Sequence, residues 1–97
     1  MDLAGKTALV TGGSLGLGRA MASAFHSSGA NVALLARRDG PLKEAQKEIQ
    51  QNGPGKVGAY PCDVSDAAAI ETVHKHVVEA MGPVDILVNN AGKSEAH

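Results

Sequence analysis

Apolar residues in this chain follow two patterns, and the chain alternates between them. In the first they run on without interruption for a few positions. Lys6–Thr11, with Ala8-Leu9-Val10 at its centre, Asn31–Ala36 and Asp85–Asn89 are of this kind. A continuous rather than alternating run is what a strand covered on both faces requires. Lys56–Pro61 is a further strand, carrying Val57, Ala59 and Tyr60, with Gly58 and Pro61 interrupting its pattern. In the second pattern apolar residues recur at helical spacing. Leu17, Met21, Ala24 and Phe25 mark the inner face of a helix over Leu17–Ser28. Leu42, Ala45 and Ile49 mark a second helix, with Pro41 at its first position and Gly40 or Asp39 as cap. Ile70, Val73, Val77 and Met81 mark a third, capped by Ser65 with Asp66 in its first turn. Gly29, the segment Gln51-Asn52-Gly53-Pro54-Gly55 and Gly82-Pro83 break the periodic segments apart.

The resulting order is β-α-β-α-β-α-β, with no internal linker, low-complexity tract or solenoid-type repeat. Strands alternating with helices predict an α/β fold with a doubly wound parallel sheet and right-handed crossovers. The expected strand order is 3-2-1-4. The first and fourth strands then flank the point where the order reverses, which is where such sheets bind ligands.

Composition narrows the possible partners. Ninety-seven residues form one small domain at most, and the formal net charge is −1. This balance gives no electrostatic case for a nucleic-acid partner. With Phe25 and Tyr60 as the only aromatic residues, base-stacking platforms are not expected either. The apolar runs are strand-sized, so no membrane span is expected. The amino terminus carries no secretory signal, and the single Cys62 fits a reducing compartment. A cytoplasmic location is the expectation.

The chemistry lies in Val10-Thr11-Gly12-Gly13-Ser14-Leu15-Gly16-Leu17-Gly18, between the first strand and the first helix. Gly12 permits a tight turn out of the strand. Gly16 lets a phosphate approach the backbone, and Gly18 lets the helix pack closely on the strand. The first-turn N–H groups of that helix lack internal partners, and with the helix dipole they suit a pyrophosphate. The spacing is Gly-x-x-x-Gly-x-Gly, not the G-x-G-x-x-G of the common dinucleotide fingerprint. Arg37 and Arg38 follow the second strand, where an NAD-dependent protein usually places an acid for the ribose 2′-hydroxyl. A guanidinium can grip a 2′-phosphate instead, so NADP is expected in preference to NAD.

Thr11-Gly12-x-x-x-Gly16-x-Gly18 resembles the cofactor loop of the short-chain dehydrogenase/reductase family. Two more stretches match that family in the right order. Asp63-Val64 follows the third strand, and Asn89-Asn90-Ala91-Gly92 closes the fourth. The resemblance covers essentially the whole chain and implies a Rossmann-type sheet. It also implies a cofactor site built from Gly12, Ser14, Leu15, Gly16, Leu17, Gly18, Arg37, Arg38, Asp63, Val64, Asn89, Asn90, Ala91 and Gly92. In the family the Asp contacts the adenine edge, while Asn-Asn-Ala-Gly stabilises the sheet end and lines the ribose. One departure is Leu15, where many NADP-dependent members carry a basic residue within the loop.

The family's Ser–Tyr–Lys set has no counterpart among these residues. Tyr60 has Val64, not lysine, four positions on, and Ser94 follows the fourth strand rather than a later one. His74 and His76 point to different faces of a helix and make a poor metal pair. His26 and His97 are expected at the surface, and Cys62 as a small buried hydrophobe. No catalytic and no metal-binding residue is therefore expected. The chain reads as an amino-terminal piece, residues 1–97 forming part of an NAD(P)-binding domain. The complete oxidoreductase would move hydride between NADP(H) and a small carbonyl or alcohol substrate. Two alternatives stand beside this: a non-catalytic nucleotide-binding module, and a non-functional truncated fragment. Homo-oligomerisation or self-association is expected, because Ile86-Leu87-Val88 would form an unguarded sheet edge.

Overall fold

The structure, a computed structural model, describes residues 2–90. Its elements in chain order are β1 (Thr7–Thr11), α1 (Gly16–Ser27), β2 (Asn31–Ala36), α2 (Asp39–Gln50), β3 (Val57–Pro61), α3 (Ala67–Met81) and β4 (Ile86–Asn89). The strands form one parallel sheet in the order β3-β2-β1-β4, as the alternation of patterns predicts. Every residue of β1 is buried, which accounts for its unbroken apolar run. Alternate residues of the central strands feed two cores. Val10, Val32 and Leu34 pack with Ala22, Leu42, Ala45 and Ile49 on the side covered by α1 and α2. Leu9, Ala33 and Leu35 pack with Val73 and Val77 of α3 on the other.

Three local expectations need correction. The first is the rotation of α1. Its buried residues are Gly18, Ala22 and His26, with Phe25 half-buried beside them. Leu17, expected inside, is 67% exposed, and Ala24 is exposed as well. The close approach at Gly18 explains this, because a Cβ there would run into the Gly12 carbonyl oxygen. Backbone proximity at one glycine, rather than the largest apolar side chains, sets the helix phase.

The second is His26, expected at the surface but only 1% exposed. It falls on the inward face that Gly18 dictates. Its Nε2 lies 2.8 Å from Gly55 O, and a carbonyl can only accept, so Nε2 carries the proton. The third concerns helix starts. α2 begins at Asp39 with Arg38 as cap residue, so Pro41 sits within the first turn, where a missing N–H costs nothing. α3 is capped by Asp66, not Ser65. Asp66 Oδ1 accepts from Ala68 N at 3.1 Å and Ala69 N at 3.3 Å, while Ser65 bonds to Asp63 instead.

The two sheet edges are finished differently. At β3, Gln46 Nε2 donates to Val57 O and Gln50 Nε2 to Gly55 O, while Val57 N donates to Gln50 Oε1. Two α2 side chains thus occupy backbone groups that would otherwise invite another strand. At the opposite edge, β4 leaves Leu87 67% exposed.

Candidate dinucleotide site

The described residues singled out by sequence lie at the carboxyl ends of the strands, on either side of β1 and its neighbours β2 and β4. The chain leaves β1 at Thr11 and turns at Gly12, whose φ is 68°. Gly12 N and Gly13 N donate to Leu35 O at 2.8 and 3.3 Å, fastening the turn to the end of β2. Gly13 lies against Leu34, whose Cδ2 would be 2.9 Å from a Cβ. Ser14 is buried, while Leu15, Gly16 and Leu17 are exposed at the helix entrance.

The entrance itself is open in two senses. Leu15, the cap residue of α1, makes no side-chain cap bond, and the first turn contains no acid. The first-turn N–H groups there have no side-chain cap of their own, the arrangement that suits an anion at a helix start. α3 shows the contrast, since its own Asp66 fills that role. Gly16 has φ 58°, and a Cβ on it would meet nothing within 4 Å. The space beside its backbone is therefore clear of protein. Both features fit a pyrophosphate, and neither is required by packing.

Thr11 joins the turn to β4. Its Oγ1 lies 3.2 Å from both Val88 O and Asn89 Oδ1 and accepts from Asn90 N at 3.0 Å. Asn90 in turn reaches the turn, its Nδ2 lying 2.9 Å from where a Cβ on Gly18 would be. Thr11 belongs to the glycine motif, directly before Gly12, but the resemblance gives it no site role. Its role of tying the glycine turn to the Asn89-Asn90 exit depends on β1 and β4 being adjacent.

At the other side of the site, Arg37 and Arg38 leave β2 exposed to solvent. Asp63 follows β3 and is exposed, its Oδ1 accepting from Ser65 N at 3.0 Å and Ser65 Oγ at 2.6 Å. These bonds, with a smaller contribution from the Arg37 charge, hold its carboxyl below the usual carboxylate range. Val64 is half-buried against the α3-side core. Asn89 is exposed at the end of β4. Ala91, Gly92, Ser94 and His97 lie outside the described residues.

Other reactive side chains are poorly placed for chemistry. Burial pushes the Cys62 thiol up, and the Asp63 and Asp66 charges add to this, so it stays a thiol. Burial also raises the Tyr60 phenol. Among the described residues no cluster of His, Cys, Asp or Glu could hold a metal ion. No helix among them is long and apolar enough to cross a membrane.

Comparison with known proteins agrees with this arrangement. A short chain dehydrogenase of Pseudocercospora fijiensis is 50% identical over 91 residues, which are 94% of this chain and 29% of that protein. L-sorbose reductase of Gluconobacter frateurii, solved with NADPH and L-sorbose, superposes with a TM-score of 0.90 at 36% identity, over 96% of this chain and 35% of its own. An NAD+-bound xylitol dehydrogenase superposes with a TM-score of 0.90 at 33% identity, over 95% of this chain and 35% of its own. The chain thus spans about a third of the length of these proteins. The family model for short chain dehydrogenase matches residues 6–97, and the chain belongs to that family.

Proposed function

We propose that this chain is the dinucleotide-binding part of a short-chain dehydrogenase/reductase and that it favours NADP(H). The observation that carries the reading is the α1 entrance. It combines an uncapped helix start with a glycine whose flank is clear of protein. The pyrophosphate would lie on the N–H groups of the first turn of α1, beside Gly16. The adenosine would run toward Arg37, Arg38, Asp63 and Val64, and the nicotinamide half toward Leu17, Asn89, Asn90, Ala91 and Gly92. When bound, the dinucleotide supplies or accepts a hydride. The chain's own contribution is to bind and orient it. Thr11 keeps the Asn90 exit against the turn, and the buried Gly18 contact holds α1 at the right distance from β1.

The proton of such a reaction must come from elsewhere in the protein. The only tyrosine here, Tyr60, lacks a lysine four residues on, and burial raises its pKa, further from what acid/base work at neutral pH needs. From the family, the complete enzyme would act on a small carbonyl or alcohol, met by other parts of the protein. The reduced, buried Cys62 suits a cytoplasmic setting.

The two solved neighbours hold NADPH and NAD+ respectively, so membership alone does not decide the cofactor. The local charge favours NADP(H). β2 ends in Ala36 rather than an acid, and two exposed arginines follow. Arg37→Ala should weaken NADPH binding roughly tenfold or more, the worth of a hydrogen bond between charged groups. NADH binding should change little. Calorimetry with both cofactors checks this, and equal losses would reject the assignment of Arg37 to the 2′-phosphate.

Self-association through β4 is part of the same reading. Leu87 stands exposed on an edge strand that no lysine, proline or inward charge guards. The 97-residue chain should scatter light increasingly with concentration. Leu87→Lys should suppress that association without loss of circular dichroism. A wild-type chain that stays monomeric and melts cooperatively at high concentration would instead favour a self-sufficient binding module.

A further inference from the structure

We infer that Asp63 is a specificity-determining residue whose charge opposes a 2′-phosphate, making the preference for NADPH weaker than two adjacent arginines would produce. This rests on the dinucleotide reading of the site. β2 and β3 pair in parallel up to their last residues, with Ala36 opposite Pro61. Beyond them, Cys62 N still donates to Ala36 O at 2.8 Å. Continuing that register puts Arg37 beside Cys62 and Arg38 beside Asp63, so Asp63 follows one position beyond Arg37 on the neighbouring chain segment, close enough to feel the Arg37 charge. The Asp63 carboxylate is not a free-swinging surface group. One of its oxygens accepts both the Ser65 amide and the Ser65 hydroxyl, which fixes its position. Like any exposed carboxylate it is charged at neutral pH, and the Ser65 bonds favour that form further.

Asp63 does not grip Arg37. The ion pair found within 4 Å among the described residues joins Arg19 of α1 and Glu48 of α2. Asp63 thus acts on the arginine through charge rather than by orienting it. Its negative charge lowers the positive potential where a 2′-phosphate would lie and repels the phosphate itself. A ribose with a free 2′-hydroxyl feels neither effect. The other charged groups at this corner are Arg38, the cap residue of α2, and Asp39 in its first turn. Asp63 differs from Asp39 in being held in place by two hydrogen bonds from Ser65 and in following β3, the strand that pairs with the one Arg37 and Arg38 leave.

The test titrates the chain and its Asp63→Asn variant with NADPH and NADH at low salt. Asparagine keeps an acceptor for Ser65 and removes only the charge. Any contact of this side chain with adenine is common to both cofactors and cancels in the ratio of their dissociation constants. That ratio should shift about threefold or more toward NADPH, as expected for one charge at an exposed site. Asp63→Ser, which also removes the charge, should move it the same way. High salt should shrink the gain, because exposed charges are screened over a few ångström, whereas a packing effect would persist. An unchanged ratio, a shift toward NADH or a salt-insensitive gain would overturn the inference while leaving the dinucleotide reading intact. Failure of the wild-type chain to bind either cofactor would reject both.

Discussion

Gly18→Ala should destabilise the chain severely, although the same change in most helices is mildly favourable. Helix propensity alone predicts a gain of about 1 kcal/mol from removing an interior glycine. Here the new methyl would collide with the Gly12 carbonyl oxygen and would come within 2.9 Å of Asn90 Nδ2. The first of these is backbone and cannot rotate away. Overpacking of this kind costs about 1–3 kcal/mol and sometimes more. The net effect is a loss, and for a domain of this size it should lower the melting temperature by roughly 10 °C. Gly40→Ala provides the comparison. It lies in the first turn of α2 and its Cβ would meet nothing within 4 Å. That variant should melt at or above the wild-type temperature. Thermal melts followed by circular dichroism distinguish the two. A Gly18→Ala chain as stable as Gly40→Ala would mean that α1 does not need its close approach to β1.

Substitution at Gly16 should do the opposite, leaving the fold in place and removing cofactor binding. Gly16→Val would mix two effects, because φ of 58° strains a β-branched residue whatever space surrounds it. Gly16→Asn separates them. Asparagine visits this backbone region more readily than other residues with a side chain. Its side chain would enter the clear space beside the α1 entrance, where the pyrophosphate is proposed to lie. Affinity for NADPH and NADH should fall together, by about a hundredfold or beyond detection, since the lost contacts are those of a charged group with several N–H donors. The melting temperature should change by only a few degrees. A variant that keeps both its structure and its affinity would place the phosphates elsewhere.

Much of the architecture was legible because both faces of the sheet are covered. Continuous apolar runs identified β1, β2 and β4 to within a residue, and their alternation with helices predicted the order β3-β2-β1-β4. The inner face of α2, with Leu42, Ala45 and Ile49, was equally plain, because its outer face is charged. α1 is read wrongly by periodicity because its largest apolar side chains do not mark its buried face: Leu17 stays outside and His26 goes in. The face was chosen by a glycine with no side chain to count. His26 followed from that choice. The cap of α3 was misassigned between neighbours, Ser65 and Asp66, which suit the position equally by type. What separated them was Asp63, which engages Ser65 first. In the site, the glycine spacing marked the turn, and Arg37, Arg38 and Asp63 were visible as residue types. The link from Thr11 to Asn90 was not, because it spans 79 residues and exists only once β4 lies beside β1.

The central claim is that the β1–α1 turn and the ends of the other strands form a dinucleotide site within these residues. Isothermal titration of the folded chain with NADPH tests it most directly, with NADH as the parallel experiment. The account predicts saturable binding at one site per chain, tighter for NADPH than for NADH and lost in Gly16→Asn. A folded chain that takes up neither cofactor, or that binds both unchanged when Gly16 is replaced, would contradict it.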